Sequence, residues 1–246
     1  MILYMTSSPT GTYRSNEPKL YKGFNPQNRF VELLKNDWKE NSKCLLVAAR
    51  PDAFETNDQM LLYFKQILDE TELSYSEFHL CDDRSERLSE NDICSYDFIL
   101  FGGGHVPTMN EFLHRIGLIP GVRMFDGIAM GISAGSMNCA ETVYAQPEMP
   151  GETVDPDYNK YLEGLGFTKY QILPHYQAVK DDYIDGKRLM EDVTYADSFG
   201  QKFYAIVDGS FLRQDDKMAE IYGEAYLVED GRIKQVNHEN KALLLD

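Results

Sequence analysis

Three stretches of this chain carry apolar runs with no polar alternation: "KCLLVAA" (Lys43–Ala49), "FILF" within "YDFILFGGG" (Tyr96–Gly104), and "GIAMGI" (Gly127–Ile132). A strand with one face in water alternates apolar and polar residues. A continuous run therefore predicts a strand buried on both faces, as in a parallel sheet covered by helices. "MILYMT" (Met1–Thr6) and "SYSEFHL" (Ser74–Leu80) read as further strands. The segments between them have helical spacing. Asn28–Trp38 places Phe30, Leu33, Leu34 and Trp38 on one side, and Thr56–Glu70 is expected as a helix with a polar N-terminal cap. Pro107–Gly117 has proline near its start and glycine past its end. Such alternation predicts an α/β fold with a doubly wound, mostly parallel, flavodoxin-like sheet.

After Gly151 the pattern loosens. "FTKYQIL" (167–173) reads as a strand and "DGKRLMEDVTYADS" (185–198) as a helix. "KFYAIVDGSFLRQ" and "MAEIYGEAYLVEDGRIKQV" read as antiparallel strands, with "EDGR" as a hairpin turn. This makes an antiparallel C-terminal extension. No linker-like tract or internal repeat divides the chain, so residues 1–246 are expected to form a single domain.

The 246 residues are 43% hydrophobic and 26% charged, ordinary for a globular protein that can bury a sizeable core. A net charge of −16 speaks against nucleic acid or an anionic membrane as partner, since either needs a basic face. No apolar run approaches the roughly 20 residues of a membrane span. The start lacks a basic segment before its apolar residues and reads as a strand rather than a signal peptide. Cys44, Cys81, Cys94 and Cys139 are scattered, with no paired spacing for zinc or a disulfide framework. Reduced thiols and a cytoplasmic location are expected, with no metal or cofactor. Homodimerisation is expected only from what cytoplasmic α/β enzymes commonly do.

In open α/β sheets, ligands bind beyond the carboxyl ends of the strands. Four features fall there: Arg50, the "GGGH" loop (Gly102–His105), Ser133 in "GISAGSMN", and "PHY" (Pro174–Tyr176). Ser133 stands between Gly131 and Gly135 at a strand-to-helix turn, the context of a nucleophile elbow. The helix that follows, expected to run towards Tyr144, would aim the free N–H groups of its start at the site. The plainer role for Ser133 is a helix N-cap, and Ser136 is a weaker candidate one turn on. The glycine loop could present N–H groups to an oxyanion, or merely allow close packing. A serine nucleophile needs a base. Of five histidines, His79, His114 and His238 read as structural or solvated; His175 ranks first and His105 second.

The segments "FILFGGGHVPTMNEFL", "GISAGSMN", "QPEMPG", "LPHYQ" and "AIVDGS", in that order, resemble peptidase E, the aspartyl dipeptidase family. The resemblance implies a class I glutamine amidotransferase-like α/β fold and metal-free serine-peptidase chemistry on small acidic peptides. It makes Ser133 the nucleophile and His175 the general base. The backbone N–H groups of Ala134 and of Gly103 or Gly104 would form the oxyanion hole. Two carboxylates match acidic positions of the family, Glu148 in "PEMP" and Asp208 in "VDGS", and Glu148 is the favoured third member.

His105 stands where the family's glycine loop usually continues with asparagine, a departure that bears on the substrate pocket. An acidic substrate needs a cationic partner. Arg188 lies near the place of the family's substrate-binding arginine, and Arg50 is an independent candidate at a strand end. The expected activity is hydrolysis of dipeptides or short peptides with N-terminal aspartate by a Ser-His-Glu triad. Two alternatives are a serine hydrolase on a non-peptide amide or ester, and a non-catalytic amidotransferase-like binding protein.

Overall fold

The structure, a computed structural model, describes residues 1–12 and 19–246. Five strands run parallel: β1 (Ile2–Thr6), β2 (Ser42–Val47), β3 (Tyr75–Cys81), β4 (Phe98–Phe101) and β5 (Ile128–Ile132). They lie side by side in the order β3-β2-β4-β5-β1. The chain returns to this sheet after residue 210. There β8 (Phe211–Gln214), β9 (Ala219–Tyr222) and β12 (Ala242–Leu245) add antiparallel strands beyond β1, completing eight. The fold is thus mixed α/β around a large, mostly parallel sheet.

The apolar runs serve two cores at once. Leu3, Met5, Leu45, Val47, Ile99, Phe101 and Ala129 point to one side, and Tyr4, Cys44, Leu46, Phe98, Leu100, Ile128 and Met130 to the other. Period-2 alternation with both faces covered leaves no polar position in the strand, as the uninterrupted runs require. Helices α1 (Phe30–Asp37) and α2 (Phe54–Glu70) cover the second side through Phe30, Leu34, Phe64, Ile67 and Leu68. Helix α4 (Val106–Ile116), which follows the short α3 (Glu90–Cys94), covers the first through Met109, Phe112 and Leu113. Truncating such a buried leucine to alanine costs about 2–5 kcal/mol.

A second sheet packs into the same core as α4. It comprises β6 (Gln171–Leu173), β7 (Lys202–Ile206), β10 (Ala225–Glu229) and β11 (Arg232–Asn237), in that order. Strands β6 and β7 run parallel, with Leu173 opposite Ala205. Strands β10 and β11 form the expected hairpin, with Glu229 opposite Arg232.

Three local expectations are corrected. Helix α2 starts at Phe54 rather than Thr56, and no side chain caps it; the residue before it is Ala53. The helix after Ser133, α5 (Ala134–Asn138), stops well short of Tyr144, and Thr142–Tyr144 is a strand. The carbonyls of Asn138, Cys139 and Ala140 are taken by the N–H groups of Leu165, Phe167 and Gly166, so the helix has no continuation. Finally, Tyr183–Ile184 and Lys187–Arg188 pair as a hairpin before the helical stretch that begins at Leu189. Asp185 and Gly186 both have positive φ there, the signature of a tight two-residue hairpin turn.

Candidate active site

Strand register assembles the site. Met5 and Phe101 both lie opposite Gly131, so the chain beyond β1 and the glycine loop beyond β4 flank the residue that ends β5. That residue leads into Ser133, whose N–H bonds the Thr6 carbonyl at 3.0 Å. Ser133 has φ 51° and ψ −113°, a left-handed conformation costly for a residue with a side chain. It offers no side-chain cap to α5, so the N-cap hydrogen bond is not its role. The sharp turn depends on its neighbours. A side chain on Gly131 would collide with the Ser136 backbone, and one on Gly135 with the Phe101 carbonyl.

As the first helical residue, Ala134 has an N–H with no partner inside the helix. The N–H groups of Gly103 and Gly104 carry no hydrogen bond among the described residues. A Cβ built on Gly103 would lie 3.5 Å from Ser133 Cβ, which shows how closely the loop passes the serine. Ser136 is fully buried and donates to the Thr6 carbonyl at 2.8 Å. Cys139 is buried too; burial pushes its thiol up, away from the reactive thiolate.

His175 and Asp208 follow parallel neighbours, β6 and β7, and leave the second sheet in the same direction. His175 Nδ1 lies 2.7 Å from Asp208 Oδ1. The carboxylate on His175 is therefore that of Asp208, not of Glu148. Ser7, fully buried beyond the end of β1, braces the pair. Its hydroxyl donates to Asp208 Oδ1 at 2.6 Å and accepts from the His175 backbone N–H at 2.8 Å. Burial is the largest influence on Asp208 and opposes ionisation. The hydrogen bond and charge of His175, with the Ser7 hydroxyl, outweigh it and hold the carboxyl below its ordinary value. An ionised carboxylate only accepts hydrogen bonds, so Nδ1 is the donor and neutral His175 keeps its lone pair on Nε2.

Ser133, His175 and Glu148 line one cavity of about 110 Å³, together with Gln146 and Asp182. No hydrogen bond joins Ser133 to His175 among the described residues; such contacts are often loose until substrate binds. Glu148 is turned elsewhere. Its Oε1 accepts from the Val106 N–H at 3.0 Å. Burial of the carboxyl raises its pKa, against the pull of that N–H and of the two nearby histidines. His105 bonds Thr108 through Nδ1 (2.7 Å) and Glu152 through Nε2 (2.8 Å). Glu152 in turn accepts from the N–H groups of Glu148 and Met149, so His105 anchors the loop that carries Glu148.

The two arginines differ. Arg188 is exposed and tied to Asp192 at 2.6 Å. Arg50 is exposed beside the glycine loop and has no ion pair among the described residues; its Cγ is 3.6 Å from where a Gly104 Cβ would stand. A larger cleft of about 600 Å³ lies elsewhere, among Lys169, Tyr170, Lys202, Tyr204 and Lys234. It contains no nucleophile beside a base, so size does not locate the chemistry. Ser7, Gln146 and Asp182 escaped the sequence reading. The strand-end rule that marked Arg50 could have marked Ser7, which directly follows the first strand.

The comparisons with known proteins bear on the fold and the family. A search of the curated proteins gives no match. Among solved structures, a peptidase from an acI-B1 Actinobacterium shares 15% identity, with a TM-score of 0.65 over 99% of this chain and 96% of that one. A putative peptidase E protein from Listeria monocytogenes EGD-e also shares 15% identity, with a TM-score of 0.55 over 96% and 98%. These likenesses establish the fold. The sequence profile of Peptidase family S51 matches residues 21–222, which is most of the chain. The chain belongs to peptidase family S51, and that membership makes it a peptidase.

Proposed function

We propose that the protein is a serine peptidase of short peptides in which Ser133 attacks, His175 is the general base and Asp208 orients the imidazole. The observation that carries this reading is His175 with Nδ1 held on Asp208, in the same cavity as a strained Ser133 at a helix start. Nε2 takes the Ser133 proton as Oγ adds to the scissile carbonyl, and the imidazolium formed is stabilised by Asp208. The oxyanion sits against the N–H groups of Ala134 and of Gly103 or Gly104. The same imidazolium protonates the leaving amine, and water then hydrolyses the acyl-enzyme by the reverse path. Glu148 shapes the cavity wall instead of completing the triad.

A preference for N-terminal aspartate needs a cation facing the substrate's carboxylate. Arg188 is committed to Asp192, so of these two arginines Arg50 is the one left to serve that preference. The test is labelling by a fluorophosphonate, followed by hydrolysis of Asp-X, Glu-X and neutral-X dipeptides beside simple esters. Labelling that is lost in Ser133→Ala, together with dipeptide turnover, supports the reading. Undiminished turnover by Ser133→Ala sinks it, and turnover of esters alone makes the protein a different serine hydrolase.

A further inference from the structure

The cleft of about 600 Å³ away from Ser133 has a floor and a rim of different chemistry. Strand register builds the floor. Phe203 and Val228 lie opposite each other and point into the core, fully buried. Their neighbours along β7 and β10 therefore face outward, and Tyr204, Leu227 and Lys234 form one cross-strand row on that outer face. Half-buried Tyr170, Val236 and Leu243 extend the apolar floor as far as β12 of the large sheet. The Tyr170 hydroxyl donates to the Asp246 carbonyl at 2.6 Å, which ties the chain before β6 to the end of β12.

The rim carries three exposed lysines. Lys202 Nζ is 3.0 Å from Glu229, its cross-strand neighbour. It also feels the charge of Asp246, the one carboxylate lining the cleft among the described residues. Lys169 and Lys234 have no ion pair among the described residues, and Lys169 Nζ lies over the Tyr170 ring, 5.2 Å from its centroid. In a chain of net charge −16, two uncompensated cations above an aromatic, apolar floor call for an anion with a flat apolar body.

We propose that this cleft binds a small aromatic carboxylate, its ring against Tyr204 and Leu227 and its charge met by Lys169 and Lys234. The volume falls within the roughly 300–1,000 Å³ of small-molecule sites. Charge argues for a small ligand over a large one. At physiological salt the pull of the lysines reaches about 8–10 Å, enough for one carboxylate, whereas a polyanion would also meet the acidic remainder of the surface. The site is separate from the serine chemistry. Strands β6 and β7 begin at the cleft, with Lys169 and Tyr170 just before one and Lys202 opening the other, while His175 and Asp208 lie beyond their far ends. No described residue lines both the cleft and the Ser133 cavity, so a ligand here leaves Ser133 free.

The test is calorimetric titration of the full-length protein with naphthoate, with naphthamide, which has the body without the charge, and with acetate, which has the charge without the body. Naphthoate should bind about tenfold tighter than naphthamide and acetate alike. Exposed charge contacts are worth roughly two- to fivefold each, so Lys169→Gln and Lys234→Gln should each weaken naphthoate by that much. The double variant should bring naphthoate level with naphthamide. Lys241→Gln, at an exposed lysine outside the cleft, should change nothing. All three lysines are exposed, so the variants keep the fold. No binding of naphthoate, equal binding of naphthamide or acetate, a preference kept by the double variant, or an equal loss in Lys241→Gln overturns the site. Sedimentation adds one more check: a dimer that the double variant splits would place a second copy of the chain in the cleft and overturn the small-ligand assignment.

Discussion

His175 Nδ1 and Asp208 Oδ1 lie 2.7 Å apart, and Ser7, from the opposite end of the chain, contacts both residues. Parallel pairing of β6 and β7 produces this contact, because the two residues leave adjacent strand ends in one direction. Strand pairing thereby sets which carboxylate meets the His175 imidazole. Asp208→Asn keeps the shape and loses the charge, so kcat should fall by about 10³–10⁴ in the manner of serine-protease triads. Glu148→Gln, at a carboxyl bound to the Val106 N–H and not to the imidazole, should lower kcat far less. Steady-state kinetics on both variants decides between the carboxylates; the reverse ranking would restore Glu148 to the triad.

Ser7 acts through its neighbours. Ser7→Ala removes the donor to Asp208 and strips the His175 N–H of its acceptor in a buried setting, a loss of about 1–3 kcal/mol. The expected result is a kcat lowered by roughly tenfold or more with KM little changed, together with a shifted acidic limb of the pH–rate profile. A fall in thermal stability without those kinetic changes would make Ser7 merely structural.

The backbone at Ser133 stores strain. Its φ of 51° costs a residue with a Cβ on the order of 1–3 kcal/mol, and glycine escapes most of that cost. Ser133→Gly should therefore be more stable than Ser133→Ala by about 1 kcal/mol, with both inactive. Chemical denaturation of the two variants measures this. An alanine variant as stable as the glycine one would mean that the turn relaxes.

Glu148 gives a pH signature of opposite sign to Asp208. Its folded pKa is raised, so the folded state holds this proton more tightly than the unfolded chain does. Its ionisation weakens folding as pH climbs from the ordinary carboxyl value through the raised one, and the penalty persists above. Glu148→Gln should raise the melting temperature near pH 7 and give no gain near pH 4. Asp208, held low, adds stability that is lost only as pH falls below the ordinary carboxyl range. A Glu148→Gln gain that grew as the pH was lowered would contradict this assignment.

By itself the sequence determined the layered α/β core, the elbow at Ser133 and the glycine loop beside it. All three are written locally. Apolar runs mark strands buried on two sides, and Gly131 and Gly135 mark the tight turn. The choice of His175 over His105 also came from local position, since it begins a loop at a strand end. Tertiary structure alone decided the partners. Nothing local in "VDGS" says that the three-residue strand Gln171–Leu173 pairs with "KFYAI", yet that pairing puts Asp208 on His175. Likewise, nothing in "TSSPT" or "PHY" hints that Ser7 reaches across 168 residues to His175. The cavity that Ser133, Gln146, Glu148, His175 and Asp182 line together exists only once distant loops meet, because partners are chosen in space and not along the chain.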